Sequence, residues 1–97
     1  MARYDNSRMD TLYYNDDEAD LGDLCSVLID NKRILVEYKV GSHYVQWEGS
    51  EEGKGHYKLT CPEVRGRATL HRFHNEDLLE GHWIDDGDEG MWRIHLV

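Results

Sequence analysis

From Arg33 to Leu96 the apolar residues recur at every second position, and this alternation constrains the fold more than any other feature of the chain. A helix would scatter residues two apart around its circumference, whereas a strand places them on one face. Ile34, Val36, Tyr38 and Val40 form such a face and end at Gly41-Ser42; His43, Val45 and Trp47 form the next and end at Gly49-Ser50. The loop Glu51-Glu52-Gly53-Lys54 leads into Gly55, Tyr57 and Leu59, a run stopped by Pro62, which cannot donate to a sheet ladder. Arg67 to Phe73, Leu79-Gly81-Trp83, the acidic loop Asp85 to Gly90, and Trp92-Ile94-Leu96 complete the series. Six or seven short strands, with turns about every eight to twelve residues, predict an all-β domain over 21–97, a small antiparallel meander β-barrel or sandwich.

The first 20 residues lack this period. Tyr4, Tyr13 and Tyr14 are scattered among Asp, Asn, Ser and Arg, which predicts a flexible acidic N-terminal arm over 1–20. Between 18 and 28 two readings compete. Leu21, Leu24, Cys25 and Leu28 share one helical face behind an Asp20 cap, which allows a short helix. Val27 and Ile29 are β-branched and Gly22 weakens a helix, which favours a hairpin turning at Asp30-Asn31 into the strand from Arg33 to Val40.

Charge is the second informative pattern. Asp and Glu number 20 against 11 Lys and Arg, a formal charge of -9. It is segregated: residues 1–24 carry -5 and residues 76–90 carry -7, whereas 25–75 carry +2. Blocks of one sign are solvated tails or contact surfaces for partners of the opposite sign. A strongly acidic chain repels phosphate, so direct nucleic-acid binding is not expected, despite the interleaving of Lys54, Lys58, Arg65, Arg67 and Arg72 with Tyr57 and Phe73. No apolar run approaches the roughly 20 residues needed to cross a bilayer, and Met1 to Asp10 hold no signal-like apolar stretch, so the expected compartment is the cytoplasm. Cys25 and Cys61 are accordingly expected as reduced thiols.

A run of hairpins with Gly81-His82-Trp83 at a strand and aromatics at alternate positions resembles the small meander barrels of the avidin-like and lipocalin-like group. The resemblance covers roughly residues 33–97. It implies a barrel whose mouth holds a small ligand, with Tyr44, Trp47, Trp83 and Trp92 as the lining. A fainter similarity links Trp47 through Leu59 to Trp83 through Leu96, and two similar hairpins in a meander account for it more simply than a duplication.

Candidate chemistries are few. His71 and His74 are three apart and fall on opposite faces of a strand, and His56, His82 and His95 alternate with core positions, so no metal site is expected. Asp85 to Gly90 departs from a calcium loop, with Gly87 at the third position and Leu96 where a bidentate Glu belongs. Gly53-Lys54-Gly55 lacks the Ser or Thr of a phosphate loop. Ser26, Ser42 and Ser50 lie in no nucleophile elbow, and the acids best placed for burial, Glu37 and Glu80, have no evident pKa-shifting environment. Neither a cofactor nor an enzymatic activity is expected.

The charge layout points to a protein-binding module. Asp85, Asp86, Asp88 and Glu89, with Asp16, Asp17 and Glu18 of the arm and Glu51 and Glu52 of the middle loop, are the expected contacts for a basic protein surface. Such surfaces often belong to nucleic-acid-binding proteins, so the chain resembles, in class, phage-encoded inhibitors of the anti-CRISPR or anti-restriction kind. An unclosed sheet would in addition favour a homodimer through its edges.

Overall fold

The period-two runs become the staves of a closed barrel. The computed structural model describes residues 1–97 as eight strands, β1 (Ala2–Tyr13), β2 (Asp20–Asp30), β3 (Arg33–Val40), β4 (His43–Glu51), β5 (His56–Cys61), β6 (Gly66–His71), β7 (Leu78–Asp85) and β8 (Asp88–His95), with a short 3-10 turn at Pro62–Val64. Each strand pairs antiparallel with the next, and β8 returns to β1 through Met9↔Ile94, Thr11↔Trp92 and Tyr13↔Gly90. Loops therefore alternate between two ends. One end carries the β1–β2, β3–β4, β5–β6 and β7–β8 turns, and the other carries the remaining turns together with both chain termini. No helix is long and apolar enough to cross a membrane.

The expected all-β meander barrel is present, with eight strands where six or seven were predicted. The additional stave comes from the segment read as an arm. Ser7, Met9, Thr11 and Tyr13 alternate inward along β1, but Ser7 and Thr11 are small polar residues and give no apolar signal. Ser7 is fully buried all the same. Its Oγ donates to the Tyr4 carbonyl at 2.9 Å and accepts the Val97 backbone N–H at 3.1 Å, which satisfies a hydroxyl that would otherwise be costly to bury. The helix considered for 18–28 is likewise replaced by β2, as the β-branched residues favour. Because β1 and β8 pair, the sheet closes and no whole strand is left as an edge, only the short stretch where β2 and β3 part beyond Cys25↔Tyr38, so the condition set for an edge-paired dimer is not met.

The core alternates as the sequence requires. Val27, Val36, Trp47, Leu59, Leu70, Leu79 and Ile94 are fully buried and fill the barrel toward the end that holds the termini. An eight-stranded barrel is just wide enough for such side chains to fill. Glycine at inward positions lets staves approach: a Cβ on Gly81 would lie 1.6 Å from the Thr69 carbonyl oxygen on β6. The glycine of Gly81-His82-Trp83 thus allows the close approach of the neighbouring staves β6 and β7. The hairpins β4–β5 and β7–β8, similar in sequence, turn at opposite ends of the barrel and pair differently, Trp83 opposite Gly90 but Gly49 opposite Leu59. They are two hairpins of one meander.

Replacing Gly81 by Ala must push β6 and β7 apart, so Gly81→Ala is expected to destabilise the barrel by about 2–3 kcal/mol. Urea unfolding checks this; a midpoint equal to that of the parent chain would contradict the close approach.

Candidate functional site

The end of the barrel with the β1–β2 and β7–β8 turns carries most of the chain's unpaired acid. The loop after β1 stays on β8: the Tyr14 backbone N–H donates to the Glu89 carbonyl at 2.9 Å, and the Asn15 amide donates to Asp88 Oδ1 at 3.4 Å. Asn15 Oδ1 also accepts the Asp17 N–H at 2.7 Å, which bends the loop. Asp16, Asp17 and Glu18 are thereby held beside Asp85, Asp86, Asp88 and Glu89, segments some seventy residues apart in the chain. The Asp86 N–H donates to the Val64 carbonyl at 3.1 Å, so the 3-10 turn with Glu63 joins the same rim. The stretch Asp85 to Gly90, read as a loop, is in fact a two-residue Asp86-Gly87 turn between paired strands, and it holds these carboxylates more firmly than a loop would.

Two further acids face inward through a backbone irregularity. Met9 opposes Asp23 and Thr11 opposes Asp20, so three residues of β2 span two of β1. Directly opposed residues share a face, so this bulge turns both Asp23 and Asp20 toward the barrel interior. It is made by Gly22 at φ 71°, whose N–H donates to Asp10 Oδ1 at 2.8 Å and whose carbonyl accepts from Arg8 at 3.3 Å.

Above the packed core these residues enclose a cavity of about 940 Å³ that opens at this mouth. Its floor is Met9, Cys25, Trp83 and Trp92, its walls are Tyr13 and Tyr38, and Asp20, Asp23, Asp85 and Asp88 ring its top. It continues sideways, because β2 and β3 pair only as far as Cys25↔Tyr38. Beyond that point β2 stays with β1 and β3 stays with β4, leaving a slot flanked by Leu24, Lys39, Val40 and Tyr44. A chain of aromatic rings runs from rim to core: Tyr13 meets Trp83 edge-on at 5.4 Å, Trp83 stacks near Trp92 at 6.2 Å, and Trp92 meets Trp47 edge-on at 4.8 Å. The Trp47 indole N–H donates to the Tyr38 hydroxyl at 3.1 Å, and that of Trp83 to the Met91 carbonyl at 3.3 Å.

The electrostatics follow from this crowding. Six carboxylates line the cavity against one ammonium, Lys39, which lies 5.8 Å from the Tyr44 ring. Asp5 pairs with Arg3, and Glu37 accepts from Gln46 at 2.6 Å; none of Asp20, Asp23, Asp85 and Asp88 has an ion-pair partner. Burial, then Asp88 and Asp86, raise the Asp85 carboxyl above the ordinary carboxylate value. Burial, then the hydrogen bond that Tyr13 donates to Asp20 at 2.9 Å, push the Tyr13 hydroxyl up to about 12. The floor thiol of Cys25 is pushed up to about 11 by burial, which leaves it unionised and a poor nucleophile at neutral pH. Cys61, also buried, is raised for the same first reason, and both cysteines are free thiols.

Of the residues predicted to meet a partner, Asp16, Asp17, Glu18, Asp85, Asp86, Asp88 and Glu89 share this mouth. Glu51 and Glu52 do not: they sit at the opposite end, where Glu51 Oε2 accepts the Gly55 N–H at 3.2 Å and steadies its own turn. Of the predicted ligand lining, Tyr44, Trp83 and Trp92 border the cavity, while Trp47 is sealed in the core below it. Sequence reasoning missed Tyr13, Asp20, Asp23 and Tyr38; the three-residue Asp20–Asp23 spacing around Gly22 was the available signal. The other candidates lie outside. Glu37 is on the outer face and touches only the cavity's sideways extension, Glu80 accepts from Arg93 at 3.0 Å, and His56 and His71 face each other across β5 and β6 with Nδ1 atoms 2.9 Å apart. Tyr57 is a core residue, so it cannot stack on a base beside the surrounding lysines and arginines.

The chain matches no protein-family model, and comparison with curated proteins and with solved structures finds no match.

The raised Asp85 sets a pH dependence of stability. A carboxyl held above its unfolded value favours folding below that value, and the contribution is lost as pH rises through the folded value. At neutral pH the ionised group therefore opposes folding. Asp85→Asn is expected to raise the melting temperature at pH 7, with the gain vanishing near about pH 3, below the usual carboxylate range. A lower melting temperature at pH 7 would contradict the crowding of carboxylates described above.

Proposed function

We propose that the chain is a non-enzymatic binding module that docks its acidic barrel mouth on a basic surface of a protein partner. The observation that carries this is the convergence of the two acidic segments, 16–23 and 85–89, on one end of the barrel with their carboxylates largely unneutralised. Leu12, Tyr14, Leu21, Leu24, Val40 and Tyr44 are exposed near the same end. Interfaces of this kind join apolar anchors, which supply affinity, to charges that steer encounter and select the partner. A partner whose basic surface normally meets nucleic acid would find carboxylates where phosphates belong, as in an inhibitor that mimics nucleic acid. The reading places the module in the cytoplasm, where the thiols of Cys25 and Cys61 stay reduced.

A small-ligand barrel is the second reading, favoured by one observation: the cavity falls within the volume range of about 300–1,000 Å³ usual for ligand sites and is bordered by Tyr44, Trp83 and Trp92.

Docking is tested by affinity capture, identification of the bound proteins, and measurement of affinity against salt. The fourfold variant Asp85→Asn, Asp86→Asn, Asp88→Asn, Glu89→Gln is expected to weaken association on the order of tenfold or more at low salt and to flatten its salt dependence. Glu51→Gln with Glu52→Gln, at the far end, is expected to change neither. Unaltered affinity and salt slope in the fourfold variant would refute docking through this mouth.

A further inference from the structure

We propose that the cavity at the acidic mouth receives an arginine side chain projected on a loop of the protein partner, an inference that rests on the docking role proposed above. Three features of the cavity select this occupant.

The first is charge. Asp20 and Asp23 on β2 and Asp85 and Asp88 on β7 and β8 border the same cavity on either side of β1, and no cation of the chain pairs with any of them. Carboxylates set apart on several staves suit a planar guanidinium, whose N–H groups fan out in several directions, better than the compact ammonium of lysine. The guanidinium is also the more weakly hydrated, so less is lost when it leaves water. Tyr13 and Tyr38 supply flat aromatic walls beside the same position.

The second is an unused donor. Trp92 is 3% exposed, yet unlike Trp47 and Trp83 its indole N–H has no acceptor within the fold. No buried side-chain polar atom is left unpaired, so this N–H reaches the open cavity that Trp92 floors. A donor at the bottom of a ring of acids does not serve a bare cation. It fits a carbonyl oxygen, which a peptide brings with it.

The third is shape. The cavity of about 940 Å³ is far larger than one side chain needs, and it leaves the barrel through the slot between β2 and β3. Pairing there ends at Cys25↔Tyr38, so the facing backbone edges of Asp23-Leu24 and Lys39-Val40 have no sheet partner. Unpaired edges on both sides of an opening accept an extended backbone. Leu24 and Tyr44 flank its path with exposed apolar surface, suited to the methylene stem of the arginine. Lys39 on the slot wall excludes a second basic residue directly beside the first.

The test uses the full chain labelled with ¹⁵N and the blocked peptide acetyl-Gly-Arg-Gly-amide, followed by NMR, beside two controls with lysine or citrulline in place of arginine. Citrulline keeps the shape and removes the charge. The arginine peptide is expected to bind in the millimolar range and to shift the Trp92 and Trp83 indole signals with the Gly22 and Cys25 amides. The lysine peptide is expected to bind at least threefold more weakly and the citrulline peptide at least tenfold more weakly. Asp85→Asn with Asp88→Asn is expected to reduce arginine-peptide binding at least tenfold. Equal binding of the arginine and citrulline peptides, or shifts confined to Asp16–Glu18 with both indole signals unmoved, would overturn insertion. Either outcome leaves the docking role intact as long as the fourfold charge variant still loses its partner. If that variant keeps its partner while the arginine peptide still moves the indoles, docking fails and the cavity stands as a guanidinium site.

Discussion

The pairing of β1 with β8 is the contact on which the rest of the molecule depends. It turns a seven-strand meander into a closed wall, and it does so with a stave whose inward residues are Ser7, Met9, Thr11 and Tyr13. Met9 is the one buried apolar side chain this stave adds to the core, with Tyr4 and Tyr13 packed against that core. The stave is retained by ladder hydrogen bonds on both of its sides and by the Ser7 hydroxyl, which links the Tyr4 carbonyl to the Val97 amide. Closure removes the sheet edges that an open meander would leave available to other chains.

The same pairing builds the candidate site. Tyr13 opposite Gly90 fixes the end of β1 beside the β7–β8 turn, so the loop that follows has to run along β8. Two acidic segments at opposite ends of the sequence meet at one mouth for that reason. The Gly22 bulge then turns Asp20 and Asp23 inward, and the early parting of β2 from β3 opens the mouth to the side. Burial of Asp85, and its repulsion by Asp88 and Asp86, works against folding at neutral pH. A fold that carries such a cost at one end, with its packed core toward the other, is consistent with the docking role proposed above, in which the site would favour a partner over the chain's own stability.

Much of the barrel was legible from residues. Val36, Trp47, Leu59, Trp83 and Ile94 lie at period-two positions, and all of them point inward. The segregation of charge was legible too, but its meaning was not. Whether 16–23 and 85–89 are neighbours depends on a strand pairing between sequence-distant segments, and β1 hides from pattern reading because serine and threonine stand where aliphatics usually do. Glu51 and Glu52 joined the expected docking set by composition alone, since a charge count carries no information about which end of a barrel a turn occupies. The inward aim of Asp20 escaped for a related reason: a bulge resets the alternation by one residue, and only the register against β1 reveals it.

Closure by β1 is therefore the claim to measure first, by backbone NOEs across the seam together with amide exchange of β1 in the intact chain. The account predicts close contacts for Met9–Ile94 and Thr11–Trp92, and exchange through β1 slowed as much as in β7. Absence of those contacts, with residues 2–13 exchanging like an unfolded segment, would show an arm beside an open sheet. The two acidic segments would then share no mouth.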